Sequence, residues 1–597
     1  MTTRSNTKIE KSTLNRCSNL QQYCLNSSLH GLRYIGTTSL SAFERIFFGI
    51  SFAFVVVLAA YFISNIWQKW NDSPVIISGN PITTKIKDIP FPAVTICNMN
   101  QVRKSFAINI QSKRDKLTLD SICTSGDGLK DNSTDFEGKW SYIRQFFLNA
   151  SQPCHDMIKI CKFGMRTVNC EEIFTTVLTD EGLCCTFNAL HPKLMFKTFE
   201  EDNHIDNTLS DFSYATWHPE DGYNQDSQEP AYPRPVPGAG NHFGLSLLLD
   251  VDVANYYCSS TSSYGFKALL HSPVETPKMA NFGFFISPGL ETKVVITPKI
   301  SEATDLIRRV PMQQRQCVFA SENNLSYYRI YSKKNCESEC NSKLTESECG
   351  CTLYFMPRKY DNESKICSRL EAQCYEDVIY KIQNTMDSNL SCNHCLPACF
   401  EINYGREIST SILGHGNFQT VEPQLSSIYN ANYITDNLAV VHIALNENAY
   451  SGNTKNELIG FTEFLSNTGG LLGLFMGFSV ISLMEIIYFL SLRPYCASRR
   501  ADVHESVQQH NHQNHVNVRL TNKKSFISSH GINDHYGRNE MFQRKSSTTA
   551  TTVSICEDLQ TKFISGLRSA RQKASNAWVT FSEIYRDESQ APYPYLN

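Results

Sequence analysis

The feature that most constrains this chain is the apolar run Ser466–Leu492, which reads SNTGGLLGLFMGFSVISLMEIIYFLSL. From Leu471 onward it is long enough and apolar enough to cross a bilayer as a helix. Small residues recur along one stripe of that helix, at Ser466, Gly470, Gly473 and Gly477. Such a stripe suits either close helix packing or a pore wall that exposes oxygens to ions. Glu485 favours the pore wall, because a carboxylate in a membrane is rare and usually faces an aqueous path.

A second apolar run precedes it, from Ile46 to Ile66, with 21 residues and no charge. As a helix it would span about 32 Å, the thickness of a bilayer core. The first 41 residues are polar, so we expect an uncleaved signal anchor rather than a cleaved signal peptide. Two spans place both termini on one side. Arg493, Arg499 and Arg500 follow the second span and predict that this side is cytoplasmic.

The region between the two runs is rich in cysteine. Of 22 cysteines, 18 lie from Cys97 to Cys399, where an oxidising compartment would pair them. The same region holds five glycosylation sequons, at Asn132, Asn149, Asn324, Asn362 and Asn389. Both signals predict an extracellular region in a multi-pass protein of the plasma membrane.

These features predict five segments in order. They are a cytoplasmic segment 1–42, transmembrane helix 43–67, extracellular Cys-rich domain 68–465, transmembrane helix and pore 466–492, and a largely disordered cytoplasmic tail 493–597. In the tail, residues 504–515 are rich in His, Gln and Asn, and residues 562–580 suit either a membrane-surface helix or a solvated segment.

Composition and motifs exclude several function classes. A net charge of -3 argues against nucleic-acid binding, and a mean hydropathy of -0.30 is too low for a transporter of many helices. No Walker loop, HExxH, GxSxG or paired-carboxylate pattern stands out, so we expect neither an enzyme nor a cofactor.

Local patterns predict the secondary structure of the Cys-rich domain. Alternating or β-branched runs predict strands at residues 91–98, 244–252, 265–271, 282–300 and 437–445. The last of these is expected to lead directly to the second span. Residues 102–160 look helical, and residues 170–188 predict a helix, a glycine turn and a strand.

Cysteine spacing suggests how some bridges are arranged. Cys336 and Cys340 are four apart, so on a helix they share a face and can bridge to one neighbouring segment. Cys349 and Cys351 are two apart and would face one side of an extended stretch. Cys392-Asn-His-Cys395 suits a zinc or redox CxxC, but among so many cysteines outside the cell structural disulfides are favoured and no metal is expected.

Several of these motifs together resemble the degenerin/epithelial sodium channel family, most closely its insect pickpocket branch. The resemblance rests on His30-Gly31, FPAVTICN, CCTFN, the Cys-rich block and GLLGLFMGFS, in the same order, and covers roughly residues 27–496. It implies an α+β membrane protein with two transmembrane helices and a disulfide-rich extracellular domain. That domain would have a β-rich palm and β-ball with a helical finger, thumb and knuckle, and the channel would be an amiloride-sensitive trimer.

The resemblance also implies roles for individual residues. His30 and Gly31 match the gating dipeptide, and Ser466 matches a small gating residue whose enlargement holds family channels open. Gly477 and Ser479 match the outer positions of a Gly-x-Ser selectivity tract. Phe478 between them departs from the usual small residue, which puts strict sodium selectivity and amiloride affinity in question. Gly473 continues the pore stripe, and Glu485 matches a carboxylate of the lower pore.

Disulfide pairs follow from the same resemblance. They are Cys97–Cys184, Cys161–Cys170, Cys317–Cys399, Cys336–Cys395, Cys340–Cys392, Cys349–Cys374 and Cys351–Cys367. The cysteines outside this pattern are expected to pair as Cys123–Cys154 and Cys185–Cys258. Acid-sensing members carry a Trp shortly before the first thumb cysteine. Here that stretch is PMQQRQC, so proton gating is not inherited.

The sequence therefore predicts a cation channel subunit, with sodium as the expected ion, opened by a mechanical or chemical stimulus. Its expected partners are sodium ions, the lipid bilayer and related subunits in a homo- or heterotrimer, with no nucleic acid. Two alternatives stay open at this point. One is a trimeric channel of the ATP-gated type, and the other is a non-conducting Cys-rich membrane receptor.

Overall fold

The computed structural model describes residues 20–123, 139–197, 215–226, 230–358, 365–384, 392–414 and 429–496. The chain divides into two compact units. We call residues 1–71 with 459–597 the terminal unit, and residues 72–458 the central unit. The predictions for Asn132, Asn362, Asn389 and the tail segments 504–515 and 562–580 lie outside the described residues.

The helices are numbered along the chain. They are α1 (20–26), α2 (Leu32–Gly36), α3 (Ala42–Asp72), α4 (Lys104–Ile108), α5 (Lys113–Cys123), α6 (Trp140–Ala150), α7 (Cys154–Met157), α8 (Cys170–Ile173), α9 (Pro192–Met195), α10 (Met279–Phe282), α11 (Met312–Arg315), α12 (Lys333–Cys349), α13 (Arg369–Asn384), α14 (Ala431–Asn437), α15 (Phe461–Met476) and α16 (Val480–Ile487). A π-helical turn, Tyr488–Leu492, follows α16.

The strands all lie in the central unit. They are β1 (Val75–Lys85), β2 (Ala93–Asn98), β3 (Asn100–Arg103), β4 (Ile158–Phe163), β5 (Arg166–Val168), β6 (Phe174–Thr179), β7 (Gly182–Phe187), β8 (Trp217–His218), β9 (Gly222–Tyr223), β10 (Leu245–Asp250), β11 (Tyr256–Ser259), β12 (Phe266–His271), β13 (Phe284–Ile286), β14 (Leu290–Ala303), β15 (Glu401–Ile412), β16 (Leu438–Leu445) and β17 (Ala449–Glu457).

Two larger sheets organise the central unit. One has eight strands in the order β1-β17-β14-β16-β10-β4-β5, with β15 paired to β14, and the other has five in the order β13-β12-β2-β7-β6. Every residue of β2 is buried, as a β-branched strand inside a sheet covered on both faces should be. One hydrophobic core includes Ile96 and Phe187 of the five-stranded sheet together with Leu247 and Val441 of the eight-stranded sheet. The unit is therefore β-rich with helices at its periphery.

The terminal unit is helical and apolar. Helix α3 runs for 31 residues without proline, and Ala59 is its only buried residue, so nearly all of its apolar surface is open. Among the described residues α3 is the one helix that is long and apolar enough to cross a membrane by itself. Helix α15 and residues 480–496 pass the same test only as a pair, with a bend of 71° between them.

Two secondary-structure predictions were wrong, and three long strands were not predicted. Residues 170–188 form a short helix and then the β6–β7 hairpin, because the β-branched run after Phe174 favours a strand. Residues 437–445 are not the last strand, since β17 follows and pairs with β1 and β14. Strands β1, β15 and β17 are polar or exposed along much of their length and lack the alternation that would have identified them.

Nine disulfides join the 18 cysteines between Cys97 and Cys399. Seven have the partners that the family resemblance implied. The other two predicted pairs were wrong, because the structure links Cys123 to Cys258 and Cys154 to Cys185. Cys258 lies on β11 beside β3 and shares a small core with Cys123 of α5, which explains the first bridge.

The cysteines near the start of helix α12 are arranged as predicted, whereas the cysteine at its end is not. Cys336 and Cys340 share a face and bridge to Cys395 and Cys392, as the four-residue spacing predicted. Cys349 is instead the last residue of the helix, and Gly350 follows it with φ of 68°. The left-handed glycine turns the chain, so Cys349 and Cys351 do not lie on one extended strand.

Candidate functional site

The predicted second span is two helices rather than one. Helix α15 ends at Met476, Gly477 adopts φ of 65°, and α16 begins at Val480. A continuous helix over residues 466–492 was therefore the wrong expectation. The cause is local, because the left-handed conformation of Gly477 ends a helix and a residue with a Cβ rarely adopts it. The tripeptide Gly477-Phe478-Ser479, which we call the bend, separates the two helices.

Ser479 begins the second helix with a capping box. Its hydroxyl accepts a hydrogen bond from the Ser482 N–H at 3.3 Å, and the Ser482 hydroxyl accepts one from the Ser479 N–H at 3.1 Å. This reciprocal pair satisfies backbone donors that a helix start otherwise leaves open. The break between α15 and α16 is thus encoded on both sides, by Gly477 before it and by Ser479 after it.

An N-terminal loop lies against the bend. Residues 27–31, which we call the N-terminal loop, connect α1 to α2. The His30 N–H donates to the Met476 carbonyl at 2.9 Å, which is one of the carbonyls left open at the end of α15. The imidazole of His30 packs so closely on Gly477 that a Cβ there would lie 2.7 Å from its Cε1. Gly31 then turns the chain with φ of 85°.

A carboxylate and two serines fix the other end of this loop. The Glu485 Oε2 accepts from the Ser28 N–H at 2.9 Å and from its hydroxyl at 3.0 Å. The Ser28 and Ser482 hydroxyls are 2.7 Å apart. Glu485 is only 9% exposed within the chain, so Ser28 covers a carboxylate that we had expected to face an aqueous path. These two hydrogen bonds to one carboxylate oxygen hold the loop in place.

The remaining predicted pore residues hydrogen-bond within α15 or lie along it. The Gly473 carbonyl accepts from the Gly477 N–H at 2.9 Å, and the Phe478 N–H donates to the Leu472 carbonyl at 3.2 Å, so both belong to the end of α15. Ser466 lies near the start of that helix with its side chain exposed. The structure therefore brings together His30, Gly31 and the bend, and leaves Ser466 apart from them.

Comparison with known proteins identifies the chain. The model of the amiloride-sensitive sodium channel family matches residues 23–489. The chain belongs to this family. It is 41% identical to Pickpocket protein 28 of Drosophila melanogaster over 482 residues, which cover 80% of this chain and 79% of that protein. It is 23% identical to Acid-sensing ion channel 4-B of Danio rerio over 487 residues, 79% of this chain and 76% of the relative.

The family defines the class of protein. Its members are membrane ion channels rather than enzymes, and a human relative, Acid-sensing ion channel 2, is 22% identical over 497 residues, 79% of this chain and 86% of that protein. The described architecture fits this assignment, with mixed helix and sheet, many disulfides and one clear apolar helix. The site at the bend therefore lies in a channel of the plasma membrane.

One residue of the channel's site, Ser28, was missed from the sequence. It contacts Glu485 and Ser482, and Ser482 follows Ser479 by three residues in a capping-box pattern. Ser28 precedes the His-Gly dipeptide but is 457 residues from Glu485, and nothing local links the two. Long-range partners of this kind become visible only in three dimensions.

Aromatic rings hold α3 and α15 together within the terminal unit. Phe62 stacks on Phe475 with ring centroids 5.8 Å apart, and Trp70 stacks on Phe464 at 4.9 Å. Such offset stacks contribute about 0.5–1.5 kcal/mol beyond their buried area. Trp67 and Trp70, near the end of α3, thus both pack against Phe464 of α15.

One cluster among the described residues has metal-ligand composition, formed by Cys336, His394 and Cys395. The two sulfurs are joined to each other in a disulfide, so neither is a thiolate that could bind a metal. The CxxC motif is therefore structural. Of the predicted glycosylation sites, Asn149 and Asn324 are described, and both are exposed.

Proposed function

We propose that this chain is a pore-forming subunit of a trimeric, sodium-conducting channel, with the bend as its selective point and the N-terminal loop as part of its gate. In this proposal α15 and α16 form one bent transmembrane span. Both termini are cytoplasmic and the central unit is extracellular. Relatives named as sodium channels, among them Sodium channel protein Nach of Drosophila melanogaster, support sodium as the ion.

The observation that carries the proposal is the contact of His30 with the bend. The His30 N–H occupies the Met476 carbonyl and its ring fills the space beside Gly477. A movement of the N-terminal loop would therefore leave the Met476 carbonyl without its hydrogen-bond donor and remove the His30 ring from Gly477. Because the family resemblance implies gating by His30-Gly31 and selectivity by Gly477–Ser479 separately, the contact between His30 and Gly477 supports one coupled gate.

The bend offers the ligands that a cation needs. A sodium ion that sheds water requires oxygens at close range. Gly477 places no side chain in front of its carbonyl, and the side chain of Ser479 is exposed within the single chain. Three subunits would bring three such sets to the axis. Phe478, half-buried in the chain, takes the middle position where the family usually has a small residue.

Glu485 serves two roles in this proposal. Its carboxylate tethers Ser28, and three copies together give the lower pore a negative potential that attracts cations. Ser466 is proposed as the closed constriction near the outer mouth. It lies on α15 eleven residues before Gly477, almost three helical turns, and its side chain is exposed and free to meet other subunits.

The test is to record currents from the expressed chain, alone and with related subunits, while sodium is exchanged for potassium. Ser466→Phe should give standing inward current, because overpacking a closed constriction costs about 1–3 kcal/mol per subunit. Ser479→Ala should shift the reversal potential. If Ser466→Phe reaches the surface and passes no current with any subunit combination, the chain is a non-conducting member and the proposal is wrong.

A further inference from the structure

The central unit contains a cavity that the channel function does not use. It has a volume of about 130 Å³ and is lined by seven pieces of chain: the start of α6, strands β6 and β7, the stretch around α9, the loop after β12, Tyr328 before α12 and the stretch after α12. A cavity of about 150 Å³ in another protein holds benzene. The space in this unit is therefore close to the size of one six-membered ring.

The wall of the cavity is largely apolar and aromatic. Met195, Tyr328 and Met356 line it, and each is at most 8% exposed. The hydroxyls present are already engaged, since Thr276 Oγ1 and the Tyr328 hydroxyl lie 2.9 Å apart. An apolar wall of this kind favours an apolar body in the ligand, because burying it removes hydrocarbon surface from water.

The charged groups at the wall are also engaged. The Arg358 guanidinium lies 4.1 Å from the centre of the Trp140 ring, in cation–π geometry. The Glu275 carboxylate, 2% exposed, accepts from Lys334 Nζ at 2.9 Å. A charged ligand would have to compete with these pairs and lose its own hydration, whereas an uncharged one would not.

One polar group of the wall stands apart from these pairs. The indole Nε1–H of Trp140 is buried and has no hydrogen-bond acceptor among the described residues. A buried donor without an acceptor is unfavourable, and a ligand oxygen would supply the missing acceptor. Because a void left by imperfect packing needs no polar group, this donor favours a ligand site over a packing void.

We propose that this cavity binds a small uncharged molecule with an aromatic or alicyclic body and one hydrogen-bond acceptor, which takes its hydrogen bond from Trp140. Because its wall comes from α6, β6 and the stretch after α12, such a ligand would stabilise one arrangement of these elements. The site goes beyond the channel function proposed above and does not depend on it.

The experiment measures binding to the purified full-length protein in detergent micelles by ¹⁹F NMR. The probes are 4-fluorophenol and 4-fluorotoluene, which match in heavy atoms but differ in the oxygen. Both should bind saturably, and the phenol more tightly. Trp140→Phe keeps the ring and removes the donor, so it should weaken phenol binding about three- to tenfold and leave the toluene unchanged.

Two cavity-filling variants locate the binding. Ala189→Leu and Thr176→Leu add volume at two different places in the wall, and either one should abolish saturable binding of both probes. Two variants are used so that one remains if the other misfolds, as judged by gel filtration. Binding that persists in a folded filling variant, no saturable binding to the wild type, or an unchanged preference for the phenol in Trp140→Phe would each overturn the proposal.

Discussion

The central unit and the terminal unit of this channel are each stabilised internally by a different kind of interaction. All nine described disulfides lie in the central unit, where they cross-link helices and strands around buried cores. In the terminal unit the bend and the N-terminal loop are held by hydrogen bonds, a close glycine contact and ring stacking. Covalent links of about 2–4 kcal/mol each keep one arrangement, whereas hydrogen bonds of about 1 kcal/mol net can exchange. Under the proposed function, the part that keeps one arrangement and the part that switches therefore belong to different units.

The largest expected effect comes from removing a central-unit disulfide. Cys317 and Cys399 are fully buried and joined across 82 residues, so Cys317→Ser should destabilise the unit by about 2–5 kcal/mol and remove most protein from the surface. Surface biotinylation measures this loss. Cys24→Ser, which changes a free cysteine of the terminal unit, is the control and should leave the surface amount unchanged. Normal surface levels of Cys317→Ser would show that this bridge does not support the fold.

A smaller effect is expected from acid acting on the central unit. Burial lowers the pKa of His271 to about 4, and its ring lies between the Thr95 hydroxyl and the Ser272 carbonyl. Since the unfolded chain binds the proton more tightly, stability is fully present above pH 6.5 and is lost as the pH falls toward 4, by up to about 3 kcal/mol.

Thermal unfolding at pH 7.5 and pH 4.5 measures this loss. His271→Gln should flatten the difference between the two pH values, while His155→Gln, at an exposed position, should not. An equal drop in all three proteins would assign the acid sensitivity to other groups.

The smallest of these effects is expected in the terminal unit. Ser28→Ala removes the hydroxyl that donates to Glu485 and contacts Ser482, and should weaken loop docking by about 1–3 kcal/mol. The measurement is open probability with surface amount held constant. Glu485→Gln should shift open probability in the same direction, because it weakens the same tether. Ser491→Ala, whose hydroxyl donates only to its own helix, is the matched control. If Ser28→Ala behaves like Ser491→Ala, the tether does not influence gating.

Parts of this channel could be predicted where a short stretch of sequence determines the structure, or where several motifs occur in the order typical of the family. The long apolar helix, the main strands and the shared face of Cys336 and Cys340 followed from composition and spacing. The pairs Cys123–Cys258 and Cys154–Cys185 did not, because no local pattern links these cysteines to their partners. The free energy of closing a loop rises only slowly with its length, so sequence distance is a weak guide.

The candidate site was predicted in pieces. His30, Gly31, Gly477, Ser479 and Glu485 were each identified, but the contact between them was not, because it joins segments more than 440 residues apart. The break in the second helix was also missed. In the sequence, Gly477 is one of four small residues on a helical stripe, which favours a continuous helix. Its left-handed conformation occurs because α15 ends at Met476, and the stripe does not predict that end.

The measurement that tests the central claim most directly compares Gly477→Ala with Gly469→Ala in whole-cell recordings at matched surface amount. At Gly477 a Cβ meets the His30 ring and the left-handed backbone, with a cost of at least about 1–2 kcal/mol. At Gly469 a Cβ meets nothing within 4 Å. The account predicts that Gly477→Ala lowers current about tenfold or more and shifts the sodium-to-potassium reversal potential, while Gly469→Ala leaves both unchanged. Wild-type current and reversal potential in Gly477→Ala would contradict it.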